Sequence, residues 1–468
     1  MAEERRSHPW MANSAPGVME AMLAEIGAGS VRELFAQIPA DHFRTAPLDL
    51  PPALPSELDQ RRELMARLSR NTDCTRALSF LGAGCWQHHV PAVVDEIVTR
   101  TEFVTNVWGS PQSDMGRMQV WWEYQSQLGA LLEMEVVQMP VYSWGCAAGH
   151  AIRMAARLTG RRKVLVPRLI CPERLAVIRT YCGPEEMAEH ISVVELAHDP
   201  DTGLVDIADL KAKLDRDVAA VYLECPSYLG LIETGAPEIA RLARAAGAET
   251  IAGVDPIALG VLAPPGAWGA DIAVGPTQTL GVHMLGGGGT GGYLASRDEE
   301  RYVRQFNGFL VSITETDRPG EYGFALAAAH QNSYALRERA NDWTGNSVYL
   351  WTAANAAYMA LLGPQGFREL GELILARSHE AARRLAAIPG VRLRWPAGFF
   401  REFVVDFTGT GRTVAQIHDG LRARGIFGGK DLSAELPELG QSALYCVTEI
   451  HTPQDIARLG RAIEEVLG

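Results

Sequence analysis

The stretch GPTQTLGVHMLGGGGTGGYLA, residues 275–295, decides how this chain is read. An apolar run ends at Gly275, Gln278 follows in the turn, and a glycine-rich segment leads into the next apolar run. Immediately upstream, ETIAGVDPIALGVLAPPGAWGADIAVG (249–275) reads as two short buried strands joined by a Pro/Gly loop. Continuous rather than alternating apolar strands of this kind belong to a parallel or mixed α/β sheet and not to a sandwich. Asp255 closes the first of them. Outward from this point the segments alternate, with helical patterns near 92–101, 116–132 and 146–158. Strand patterns fall at 163–167, 191–195, 219–224, 250–254, 271–275 and 291–295. This βα alternation predicts a large doubly wound domain over 76–320.

The remainder divides on either side. Residues 1–75 read as an N-terminal helical arm: two short amphipathic helices with Ser30 as an N-cap, then PLDLPPALPSE (47–57), whose prolines exclude regular structure. An arm of this kind wraps a neighbour more often than it stands free. Residues 321–468 read as connecting helices followed by a small α+β domain, with strands VRLRW, EFVVDF and ALYCVTE and a closing helix PQDIARLGRAIEEVL.

The chain has 468 residues, 47% of them hydrophobic, which is enough for a large core in two or three domains. A net charge of −13 argues against nucleic acid and anionic membrane as partners. No apolar run reaches the roughly 18 residues of a membrane helix, and the start MAEERRSHPWMANS lacks a signal-peptide core, so the expectation is a cytoplasmic protein. Seven scattered cysteines without a C-x-x-C pair fit reduced thiols and no metal site.

An aspartate at a strand end, followed one strand later by a residue in a turn, is an arrangement used to hold pyridoxal phosphate: the aspartate pairs with the pyridinium nitrogen and a lysine forms the imine. Asp255 fits the first role. Gln278 cannot fill the second, because an amide nitrogen is not nucleophilic. Only four lysines exist, Lys163, Lys211, Lys213 and Lys430, against 39 arginines. The first three read as solvated. Lys430, in the loop-like GIFGGKDL, is the one lysine with a claim to catalysis.

Four motifs carry a resemblance: SFLGAGCWQHHVPAVVDEI (79–97), GRMQVWWEYQSQLGALLEMEV (116–136), DPIALGVLAPPGAWGADIAVG (255–275) and GGKDLSAELPELGQSALYCVTEIHT (428–452). Together the chain resembles subunit 1 of the decarboxylating glycine dehydrogenase, the P-protein of the glycine cleavage system, over nearly its whole length. The resemblance implies the type I pyridoxal-phosphate-dependent transferase (aminotransferase-like) fold, a large doubly wound domain plus a small C-terminal one. It implies a subunit without the imine lysine, working with a homologous catalytic subunit that supplies it, or pairing with itself, and passing its product to a lipoyl carrier protein.

Three loops depart from that family: NVWGSPQSDM within 105–116, Tyr142-Ser143-Trp144-Gly145-Cys146 at a helix start, and QNSYALRERANDWTGNS (331–347). Ser143, Trp144 and Gly145 remain candidates for contacting a cofactor phosphate and ring, beside Asp255 and Gln278. His89, after His88 in CWQHHVP, and His283, five positions after Gln278, are candidate bases; His150 reads as structural. Arg117 and Arg337 have the bidentate geometry to bind a substrate carboxylate. The glycine run 286–292 lacks Walker or Rossmann spacing and reads as a tight backbone turn beside a neighbouring subunit.

Two functions follow. One is a lysine-free subunit acting with a catalytic partner in glycine decarboxylation or a specialised variant. The other is a stand-alone enzyme on a small amino acid or amine, with pyridoxal phosphate bound non-covalently or absent; whether the chain is itself an enzyme stays open at this point.

Overall fold

The computed structural model describes residues 7–44, 46, 48–104, 117–285, 291–327, 331–342, 344, 348–396 and 398–468, without the side chains of 334, 335 and 337. Residues 105–116, residues 286–290 of the glycine run and the side chain of Arg337 therefore lie outside the described residues. The chain forms two compact units, Met1–Thr72 and Asp73–Gly468.

In the first unit, α1 (Val18–Glu25) is followed by a 3-10 segment, Val31–Phe35, where a second helix was expected. Ser30 does cap it, accepting from the Glu33 amide. The proline-rich segment ends at Ser56, which caps α2 (Glu57–Leu68). No described residue of this unit is buried, and Trp10, Ile26, Leu50 and Leu64 are exposed.

The second unit is built on a seven-stranded sheet: β1 (Val136–Val137), β2 (Lys163–Pro167), β3 (Ser192–Leu196), β4 (Val218–Glu224), β5 (Glu249–Gly253), β6 (Ile272–Pro276) and β7 (Gly292–Ser296). Their spatial order is β1-β7-β6-β5-β4-β2-β3. β2 to β6 run parallel, while β7 is antiparallel to both β6 and β1. Each residue of β4, β5 and β6 is buried, as central strands covered on both faces require. Helices α3 (Ala92–Val98), α4 (Met118–Leu132) and α5 (Trp144–Thr159) follow the expected segments, α6 (Pro172–Cys182) was not among them, and α5 packs its buried alanine face on the sheet.

Beyond a hairpin, β8 (Val311–Glu315) and β9 (Tyr322–Leu326), the chain runs through α7 (Trp351–Ala386). Gly363, at φ +58°, and Pro364 break α7 into the two helices read from the sequence. A four-stranded antiparallel sheet of β10 (Arg392–Leu393), β11 (Glu402–Asp406), β12 (Lys430–Asp431) and β13 (Ser442–Cys446) follows, in the order β10-β11-β13-β12. Lys430, expected in a loop, thus opens a short edge strand. Thr452 forms a capping box with Asp455 and starts α8 (Pro453–Leu467).

Candidate functional site

Open α/β sheets bind ligands outside the carboxyl ends of their parallel strands, and the candidate residues gather there. Asp255 lies two residues past β5 and is 1% exposed. Its Oδ1 accepts from the Thr279 hydroxyl at 3.0 Å. Its Oδ2 lies 2.6 Å from Nη2 of Arg401, an ion pair without hydrogen-bond alignment. Arg401 is itself 3% exposed, immediately precedes β11, and places its guanidinium carbon 3.5 Å from the Trp86 ring centroid.

The cluster continues away from Asp255. Arg401 Nη1 meets His88 Nε2 at 3.0 Å. Arginine only donates, so Nε2 accepts, and the His88 proton sits on Nδ1, directed at Glu449 Oε2 2.8 Å away. Burial alone would raise the Glu449 carboxyl, but the adjacent His88 imidazole and the bond from the His89 amide hold it below the ordinary carboxylate range. Glu402, next to Arg401, takes the opposite course: burial pushes it up to about 7, against the pull of Arg401 and the Ala83 amide.

Gln278 is buried, and its Nε2 donates to the Val282 carbonyl of its own turn at 2.8 Å. Asn355 on α7 fixes that turn by donating to the carbonyls of Thr277 and Leu280 at 2.9 and 2.8 Å.

A cavity of about 550 Å³ lies on the His88 side. It brings together His89 and His283, the two candidate bases, with His451, Arg76 and Arg458. His283 is exposed and pairs with Asp95 on α3 at 2.9 Å, so its partner is not Asp255.

On the other side a cavity of about 420 Å³ is lined by Ser143, Trp144, Gly145, Arg174 and Lys430. Ser143 caps α5, accepting from the Cys146 amide at 3.2 Å. Trp144 is 6.2 Å from Trp86 between ring centroids and carries the Arg174 guanidinium 3.8 Å from its own. Arg174 is bidentate to Glu224 at 2.6 and 2.7 Å, and Tyr222 donates to the same carboxylate at 2.8 Å. The Trp144 indole packs so closely on the end of β5 that a Cβ on Gly253 would come within 3.1 Å of it.

Lys430 reaches the rim of this cavity with its amine committed to Glu435 at 2.7 Å and the Tyr228 hydroxyl at 2.8 Å. Burial pushes the neighbouring Cys171 thiol up to about 11. Arg117 is buried against Trp121 and lines neither cavity. His150 is buried between Asn307 and Thr344, where burial lowers it to about 4.

The residues around Asp255 do not fit a pyridoxal phosphate held in the usual way. Gln278 is turned onto its own loop, Asp255 is already ion-paired, and Trp144 rests on the strand end. Trp86, Arg401 and the Arg174–Glu224 pair were not among the sequence candidates. Trp86 stood in view in CWQHHVP, but nothing local distinguishes Arg401 among 39 arginines.

Comparisons with known proteins agree with this architecture. Residues 14–459 match the family described as the glycine cleavage system P-protein. The chain is 36% identical over 469 residues to a probable glycine dehydrogenase (decarboxylating) subunit 1 of Staphylothermus marinus, covering 98% of each chain. The same name is carried by a Saccharolobus solfataricus protein, 36% identical over 463 residues, again with 98% of each covered. A crystal structure of glycine decarboxylase (P-protein) of the glycine cleavage system in inhibitor-bound form superimposes with a TM-score of 0.84 at 33% identity, over 98% of this chain and 100% of that one. A Burkholderia pseudomallei sphingosine-1-phosphate lyase, at 17% identity and a TM-score of 0.63 over 92% of this chain and 94% of its own, shares the fold.

Proposed function

The chain belongs to the glycine cleavage system P-protein family, and on that premise we propose that it is the half of a two-subunit decarboxylating glycine dehydrogenase that forms no imine. It acts with a homologous lysine-bearing subunit on glycine or a closely related small amino acid. The observation that carries this reading is the state of its own strand-end crevice, where Gln278 is bonded to Val282 and Asp255 to Arg401 and Thr279. Pyridoxal phosphate then belongs to the partner, where it serves as the electron sink for decarboxylation.

This chain's contribution is architectural and interfacial. Its buried charge cluster keeps the strand ends rigid, while the exposed apolar side chains of the first unit offer area that association covers. Transfer to a lipoyl carrier is part of the proposal. The test is exchange of the glycine carboxyl carbon with bicarbonate, measured for this chain, for a lysine-bearing homologue and for the mixture. The proposal expects full exchange only in the mixture; exchange by this chain alone with pyridoxal phosphate contradicts it.

The alternative of a stand-alone enzyme is supported by the 420 Å³ cavity, which reaches from Ser143 to Lys430. Borohydride reduction separates the two readings. A pyridoxyl group fixed to Lys430 favours the stand-alone enzyme.

A further inference from the structure

The strand-end crevice of this chain carries a side chain that resembles a pyridinium ring in its chemistry. Protonated pyridine and guanidinium are both planar, delocalised cations that stack on aromatic faces and pair with carboxylates. Arg401 supplies the second in place of the first. It lies 3.5 Å from the Trp86 ring centroid, and its Nη2 is 2.6 Å from Asp255 Oδ2. The other carboxylate oxygen is engaged by Thr279. From behind, His88 accepts from Nη1 and is itself anchored on Glu449, so the guanidinium is held from two sides. Both charges of the pair are at most 3% exposed, and a buried aspartate demands such a counter-cation.

We propose that Arg401 is an internal ligand of Asp255 that closes this chain's crevice to planar pyridinium-type rings, that of pyridoxal phosphate included, so that a lysine placed at 278 does not by itself open it. The glutamine and the arginine are thus two separate locks. The inference concerns this chain alone and stands whichever reaction the assembly performs.

Three variants test it, Gln278→Lys, Arg401→Ala and the double variant, each equilibrated with pyridoxal phosphate, reduced with borohydride and mapped for pyridoxyl-lysine. The double variant is expected to be labelled at position 278 at least about tenfold more than Gln278→Lys, the ratio that corresponds to 1.4 kcal/mol. Equal labelling of the two overturns the proposal.

A second readout covers failure of the arginine variants to fold. Methylguanidinium, and not tetramethylammonium at the same concentration, is expected to raise the thermal midpoint of Arg401→Ala or to permit its refolding, because only the planar cation fits between Trp86 and Asp255. An identical response to both salts contradicts the assignment of Arg401 as a ligand.

Discussion

Two regions at the carboxyl ends of the same parallel strands have opposite characters. Around Asp255 each polar group is answered from within the chain: Asp255 by Arg401 and Thr279, Arg401 by Asp255 and His88, and His88 by Glu449. A few residues away, the cavity from Ser143 to Lys430 is open, and Lys430 stands on its rim. The difference teaches that retaining a crevice is not retaining a site. The same backbone framework underlies both regions, but the side chains decide whether space is left for a ligand: Arg401 occupies it beside Asp255, and the cavity from Ser143 to Lys430 leaves it open. The space beside Asp255 is taken by Arg401, whatever residue stands at position 278.

Several substitutions break or sharpen this contrast. The largest effect is expected from Glu224→Ala, which leaves Arg174 buried without its bidentate partner. Removing one member of a buried pair costs about 3–5 kcal/mol, and denaturant unfolding should report a loss of that size. Glu402→Gln comes next, through pH. The folded-state carboxyl of Glu402 is raised to about 7 from 4.5, so its contribution to stability is full below 4.5 and is lost as pH rises towards 7. Glutamine keeps an acceptor for the Ala83 amide and removes that slope, for a gain on the order of 2–3 kcal/mol at pH 8. The check is a series of unfolding curves from pH 4 to pH 8.

Lys430→Ala should cost less than about 1 kcal/mol, because the Lys430–Glu435 pair lies at the partly exposed cavity rim, where solvent screens it. A loss as large as that of Glu224→Ala would show that the pair on the cavity rim is held as tightly as the buried Arg174–Glu224 pair behind it. The smallest effect on stability is expected from removing residues 1–72. Because that unit buries no described residue, the thermal midpoint of Asp73–Gly468 should stay unchanged while association with a lysine-bearing partner, followed by light scattering, weakens.

Much of the framework was legible in the sequence because apolar runs bounded by Gly and Pro encode buried strands locally. VAAVYLE and ETIAG form β4 and β5 within a residue or two of the expected limits, and Gly363-Pro364 separates the two helices of α7 as read. The second N-terminal helix shrank to a 3-10 segment, and the β8–β9 hairpin went unread. At the site, Asp255 and Gln278 were visible because one follows a strand and the other falls in the next strand's turn. Arg401 was not, because its role exists only when the start of β11 is brought to the end of β5 from 146 residues away. Likewise His283 looked adjacent to Gln278 in sequence, yet the turn directs it to Asp95 on α3 and into a different cavity.

The most direct test of the central claim is borohydride reduction with pyridoxal phosphate of an equimolar mixture of this chain and its lysine-bearing homologue, followed by mass analysis of each. The account predicts a pyridoxyl group on the homologue and none on this chain. A pyridoxyl-lysine on this chain, at Lys430 or elsewhere, would contradict it.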